Sequence, residues 1–211
     1  MEKRKVLTVR NMVLIGMFGA VAAVLESFQI AVPFAPPFYK LDFAETPILI
    51  GAFAIGPMAA VFMEMVKVLL HLIIKGTTTM FVGDIANFIG SLLFVLPASI
   101  IYKKHKTKKM AMVGLGVSVV SATLAAVFIN SFVTLPLYGK IAFDGIENII
   151  AMGTQINPSI TNLTTFVIFA IVPFNIVKCS LNALVTVLLY KRLSPLIHGA
   201  GVKKASERGL A

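Results

Sequence analysis

Apolar stretches at about residues 11–32, 83–102, 110–137 and 160–190 are each long enough to cross a bilayer, which takes roughly 20 residues. A further stretch, 46–74, is too long for an ordinary single span and carries Gly56-Pro57 in its first half. Charge placement decides how to read it. Lys3, Arg4, Lys5 and Arg10 come before the first stretch. Lys103, Lys104, Lys106, Lys108 and Lys109 form a middle cluster, and Lys191, Arg192, Lys203, Lys204 and Arg208 follow the last stretch. Cytoplasmic loops concentrate Lys and Arg. With 46–74 as one span, the middle cluster falls outside the cell. With two spans, all three groups fall inside. A proline cannot continue the hydrogen bonding of the preceding turn, so Gly56-Pro57 is the natural break.

The expectation is an all-α integral membrane protein with six transmembrane helices, both termini cytoplasmic, and a short second helix. The spans fall at about 11–32, 46–56, 57–75, 83–102, 110–137 and 160–190. Residues 1–211 form a single membrane domain, because no soluble segment is long enough for another. The first stretch is too long for a signal-peptide core and no small-x-small cleavage site follows it, so it is read as a retained span.

Composition agrees. The chain is 58% hydrophobic and 13% charged, with mean hydropathy +0.92, whereas soluble domains carry about 25% charged residues. A net charge of +10 does not indicate nucleic acid, because the basic groups flank spans rather than sharing a folded face. Cys179 is the lone cysteine, which excludes an internal disulfide, and its apolar surroundings suit a buried structural thiol.

A ten-residue second helix rises only about 15 Å, roughly half the hydrocarbon core. Neighbouring protein must cover the rest. Irregular backbone at depth is tolerated only where it is buried or lines a cavity, so 33–45 is a candidate lid or wall. The plainer alternative is an exposed loop before a tilted helix.

Ionisable groups inside spans usually face a cavity or a partner. Glu64, Lys67 and His71 share one helical face at i, i+3 and i+7. There Glu64 and Lys67 can form a structural pair, and His71 reads as a satisfied polar residue rather than a metal ligand. Asn175, Lys178 and Asn182 repeat that spacing in the last span. Lys178 has no acid within four residues, so it needs a carboxylate from another element or a ligand acceptor. Asn130, with Thr134 one turn later, adds a polar position toward the outside. Asp84 and Asn87 open the fourth span, where Asp84 suits the helix dipole. In 38–45, strand-like alternation puts Lys40 and Asp42 on one side, paired or in water, and Leu41 and Phe43 on the other. Glu45 reads as a cap for the short helix. Gly16-x-x-x-Ala20 and Gly19-x-x-x-Ala23 in the first span allow close helix approach, internally or by a partner subunit.

No phosphate loop, zinc-protease or serine-hydrolase motif is present, and no catalytic set or metal cluster is visible. The pattern points to capture of a small solute, with energy supplied by another protein.

The segments KLDFAETP, GAFAIGP, EMVKVLLH, VGDIANFIG, LPASIIY and PFNIVK, in this order and spacing, resemble the riboflavin-binding S components of energy-coupling-factor (ECF) vitamin transporters. The resemblance spans about 10–192 and is most specific over 40–90. It implies a six-helix fold with riboflavin in an outward pocket. The matching pocket positions are Leu41, Asp42, Phe43 and Ala44 in the loop, Asn130 in the fifth span, and Asn175 and Lys178 in the sixth. It also implies as partners a transmembrane coupling subunit and two cytoplasmic ATPases, in a prokaryotic plasma membrane, with no cofactor besides the transported vitamin. Docking would use the small residues Gly16, Gly19, Ala20 and Ala23. The family pattern there is Ala-x-x-x-Ala, and Gly replaces the first Ala in both pairs. Riboflavin suits a mostly apolar pocket with a few polar groups: Phe38, Tyr39 and Phe43 could cover its ring. The competing readings are an S component for another vitamin such as thiamine, a stand-alone permease, and a membrane scaffold whose buried polar residues only hold helices together.

Overall fold

A computed structural model describes residues 8–77 and 81–206, with side chains as far as Tyr190. Lys3, Arg4 and Lys5, and the side chains of the basic group from Lys191 onward, lie outside the described residues. Helix α1 (Val9–Ser27) starts at Thr8, whose hydroxyl accepts the Asn11 amide at 3.3 Å. It stops short of the expected residue 32 because the chain turns into a small antiparallel ribbon. There β1 (Ile30–Ala31) pairs with β2 (Lys40–Leu41), Ile30 opposite Leu41. Next come α2 (Glu45–Ile55) and α3 (Pro57–Lys75). Gly56 separates them at φ +132°, a conformation L side chains rarely adopt, and Pro57 takes the first helical position, where its missing N–H costs nothing.

Helices α4 (Val82–Lys104) and α5 (Lys108–Ile129) follow. The α5 rod continues through a π-helical turn, Asn130–Thr134, into α6 (Leu135–Ile141). After Gly145 comes α7 (Ile146–Ile156), so the expected outer segment 138–159 is largely helical. A capping box at Asn162 starts α8 (Leu163–Phe166), and a second π-helical turn, Val167–Ile171, joins it to α9 (Val172–Ser206). Among the described residues, five segments are long and apolar enough to cross a membrane: Val9–Ser27, Pro57–Lys75, Val82–Lys104, Lys108–Ile141 and Leu163–Tyr190. Large apolar side chains point outward along them, among them Val13, Ile73, Leu124, Phe132 and Leu188, as lipid-facing surfaces require.

The 11-residue α2 is different. It is buried from Glu45 through Phe53 and packs against α1, α3, α4 and α9. A helix that is apolar all round belongs inside a fold, and protein supplies the cover that its length, about 16 Å, cannot. Ile48, Leu49 and Phe53 join Met63, Phe94 and Tyr102 in one core. A second core gathers Leu135 of α6, Ile149 of α7, Ile160, Phe166 of α8 and Ile171.

Lipid is as apolar as leucine, so helix association here rests on close packing and polar ties. At Gly19 an added Cβ would lie 2.7 Å from Val66 Cγ1, and at Gly114 one would lie 3.0 Å from the Ala98 carbonyl oxygen. Pro97 sits inside α4. Beside it, the Ala98 N–H donates across to Ser118 Oγ on α5 at 2.8 Å.

Candidate functional site

Between α1, the 33–45 segment and helices α3, α4, α5 and α9 lies a cavity of about 580 Å³. One wall comes from the loop, α5 and α9. Lys178 donates to Asp42 Oδ2 at 2.9 Å, which supplies the carboxylate that its own helix lacks. Asp42 Oδ1 accepts the Ala44 amide at 3.1 Å, and the Asp42 carbonyl accepts Asn182 Nδ2 at 2.8 Å. Asp42 is thus buried and fixed on three sides, and Lys40 stays exposed. Lys40 and Asp42 both line the cavity while Leu41 and Phe43 do not, the alternation expected of this segment. What differs from expectation is the partner: Asp42 is neither paired with Lys40 nor in water but buried against Lys178.

Tyr39 is also drawn inward. Its hydroxyl donates to Asn130 Oδ1 at 2.8 Å, and its ring packs on Phe174 with centroids 5.0 Å apart. Burial pushes the phenol above its ordinary pKa, so it remains a donor. Phe38 adds an aromatic edge, with its ring centroid 4.8 Å from that of Tyr39 and 5.6 Å from that of Phe143.

The π-helical turns explain why α5 and α9 carry polar groups here. Such turns insert one residue and redirect the side chains around them, often at functional sites. Asn130 opens the first, and its Nδ2 donates to the Ala126 carbonyl at 2.8 Å. Asn175 follows the second, and its Nδ2 donates to the Ile171 carbonyl at 2.9 Å. Thr134 closes the first turn. Its hydroxyl is buried and takes no hydrogen bond, whereas Thr123 and Thr186 each donate to a carbonyl four residues back.

The opposite wall comes from α1, α3 and α4. Glu26 is 4% exposed and accepts Asn87 Nδ2 at 2.7 Å, and its second oxygen lies 3.5 Å from His71 Nδ1. Asp84 borders the same space. Deeper in, Lys67 pairs with both Glu45 (2.7 Å) and Glu64 (2.8 Å), while Ser91 Oγ donates to Glu45 at 2.6 Å. Glu45 does occupy the first turn of α2, but its carboxylate binds side chains of α3 and α4 instead of serving only as a cap. Among the described residues no group of three or more His, Cys, Asp or Glu is placed to hold a metal.

The cavity therefore brings together Asp42, Asn130, Thr134, Asn175 and Lys178 from the sequence-predicted set. It does not bring in Leu41, Phe43 or Ala44. Leu41 packs toward Val32, Ala35 and Phe174, Ala44 is fully buried at the start of α2, and the Phe43 carbonyl receives the Thr46 amide at 3.2 Å. Asn182 is saturated by Thr46, Asp42 and Lys178, a structural tie. Among the small residues of α1, Gly19 and Ala23 are buried inside the fold, so only Gly16 and Ala20 of the four remain partly exposed. Sequence reading passed over Glu26 altogether. It was detectable as an acid at the end of an otherwise apolar run, the same signal that exposed Lys178.

Comparison with known proteins places this architecture. Residues 10–190 match the family model "ECF transporter, substrate-specific component". The "Riboflavin transporter RibU" of Staphylococcus aureus (strain TCH60) is 33% identical over 185 residues, covering 88% of this chain and 90% of that protein. The "Riboflavin transporter FmnP" of Bacillus subtilis (strain 168) is 29% identical, covering 90% and 95%. A solved structure described as "Structure and mechanism of the S component of a bacterial ECF transporter" superposes with TM-score 0.69 at 31% identity, covering 89% of this chain and 97% of that one. The chain is therefore a membrane-embedded transport component rather than an enzyme, and it belongs to the family of substrate-specific components of ECF transporters.

Proposed function

We propose that this protein captures riboflavin in an outward-facing pocket and delivers it inward as the substrate-binding subunit of an ATP-driven vitamin importer. The observation that carries the reading is the cavity roofed by the 33–45 segment, with Asn130, Asn175 and Lys178 converging on it beside apolar and aromatic walls. That mixture suits a flat ring with polar edges. The similar proteins named as riboflavin transporters favour this vitamin over thiamine. Asp42, Asn130, Thr134, Asn175 and Lys178 are the proposed ligand-facing residues. Leu41, Phe43 and Ala44 back the loop that carries Asp42.

In this reading the membrane domain has six spans, with α2 as the short second one and both ends in the cytoplasm of a prokaryotic cell. Its partners are a transmembrane coupling subunit and two cytoplasmic ATPases, and Gly16 and Ala20 offer the small-residue surface for the coupling subunit. A panel of riboflavin, thiamine and other vitamins, titrated into purified protein, tests the assignment. Riboflavin alone should bind tightly, and preferential binding of thiamine would overturn it.

A further inference from the structure

The connection between α4 and α5 carries a concentration of charge that nothing in the described fold balances. Lys103 and Lys104 end α4, Lys106 sits in the link, and Lys108 and Lys109 open α5. All seven residues from 103 to 109 are exposed. Among the described residues no carboxylate pairs with any of the five lysines. Of the described acids, four border the outward cavity, Asp144 and Glu147 follow α6, and Glu64 is held by Lys67. Helix stability does not explain the arrangement either. A cation suits the last turn of α4, but Lys108 and Lys109 stand in the first turn of α5, where the helix dipole opposes them. Like charges this close repel one another, because salt screens charges fully only beyond about 8–10 Å.

Geometry limits what can supply the negative charge. Helix α4 is 23 residues long, about 34 Å at 1.5 Å per residue, against a hydrocarbon core of about 30 Å. Its last turn therefore ends at headgroup depth. Residues 105–107 form the whole link to α5, a reach of about 10 Å, so the loop stays at the membrane surface. Just inside it, Ile100 of α4 and Val113 and Val117 of α5 are exposed, as contact with acyl chains requires. Lysine stems lie along apolar surface of this kind while their ammonium groups stay in the polar layer. An acidic phospholipid offers both halves of the match, chains for the apolar belt and uncompensated phosphate charge for the lysines.

We infer that the 103–109 loop is a docking surface for acidic phospholipids, whose headgroups meet the five lysines while their chains cover Ile100, Val113 and Val117. The surface pins the ends of α4 and α5 in the headgroup layer. It rests on the proposed six-span topology for its side alone, which that topology sets as the cytoplasmic leaflet.

The chain contains no Trp, so a single introduced one reports on the lipid beside it. Val113→Trp lies one turn from Lys109. Phe128→Trp, about 22 Å further along α5, is the distant control, and both positions are exposed. The full-length protein is reconstituted in phosphatidylcholine vesicles that contain phosphatidylglycerol, with bromine on the chains of one lipid or the other as quencher. At Val113→Trp, brominated phosphatidylglycerol should quench as though enriched about fivefold or more, the effect of even one lysine at a charged membrane surface. At Phe128→Trp the two lipids should quench alike. High salt should weaken the enrichment. Replacing the five lysines by Gln should remove it, replacing them by Arg should keep it, and both variants should melt close to the parent in detergent. Equal quenching by the two lipids at Val113→Trp, or an enrichment that survives the five Gln replacements, would overturn the surface. Both leaflets hold the acidic lipid, so the outcome is independent of which way the chain inserts. Labelling a cysteine at Lys106 decides the side separately: reaction from outside alone would remove the cytoplasmic placement and leave the lipid surface standing.

Discussion

Asp42 and Lys178 face each other at 2.9 Å, from a loop and a helix 136 residues apart in sequence. Removing one partner leaves a buried charge uncompensated, which costs about 3–5 kcal/mol in a dry interior. Lys178 retains 17% exposure, so the lower end applies. Lys178→Ala should lower the melting temperature and abolish tight ligand binding, and Asp42→Asn with Lys178→Met should recover part of the stability but not the binding. Thermal unfolding in detergent, paired with titration, separates the two effects. Tyr39→Phe should cost about 1 kcal/mol through the lost bond to Asn130. The sign of its pH dependence follows from the raised phenol pKa. The fold binds the proton more tightly than the unfolded chain, so the contribution is complete below about pH 10, the free phenol value. It erodes as pH rises further. The wild type should lose stability over that alkaline range more steeply than Tyr39→Phe. The sequence pointed to Lys178 through its missing local partner. It could not point to Asp42 as that partner, because the pairing depends on how the loop folds back onto α9.

At the scale of elements, the break at Gly56-Pro57 was legible from local chemistry, and the charge argument required it independently. The two π-helical turns were not legible. Each is a one-residue insertion inside an apolar helix pattern, and its local mark is a proline two residues past its end, Pro136 after Asn130–Thr134 and Pro173 after Val167–Ile171, which does not by itself tell a π-helical turn from an ordinary kink. They are nonetheless what brings Asn130 and Asn175 to the cavity. Deleting the outward-facing Phe132 should let α5 run into α6 as ordinary helix and rotate one flank of the turn by about 100°, the angle per residue at 3.6 per turn. Ligand binding should fall far more than helix content measured by circular dichroism. Close packing gives a second check. Gly114→Ala drives a methyl into the Ala98 backbone, whereas Gly116 has open space around it. The first should lose about 1–3 kcal/mol, and the second should be neutral or slightly stabilised.

For the whole molecule, membrane embedding and family followed from composition and ordered motifs, whereas the far wall of the cavity did not. Glu26, Asp84 and Asn87 belong to separate helices or sit at helix ends, and only the packing of α1 on α3 and of α3 on α4 brings them around one space. The proposed six-span arrangement predicts where the middle basic cluster lies. Cys179 is buried, so a Cys179→Ser background permits single-cysteine labelling. A cysteine at Lys106 should react with a membrane-impermeant reagent only from the cytoplasmic side, and one at Ser159 only from outside. The reverse pattern would remove the orientation. Riboflavin capture is tested by titrating riboflavin into the purified wild-type protein and following flavin fluorescence, with Lys178→Ala alongside. The wild type should show saturable quenching with tight binding, and the variant should lose tight binding. A wild type that leaves flavin fluorescence unchanged, or a variant that binds as tightly, would contradict it.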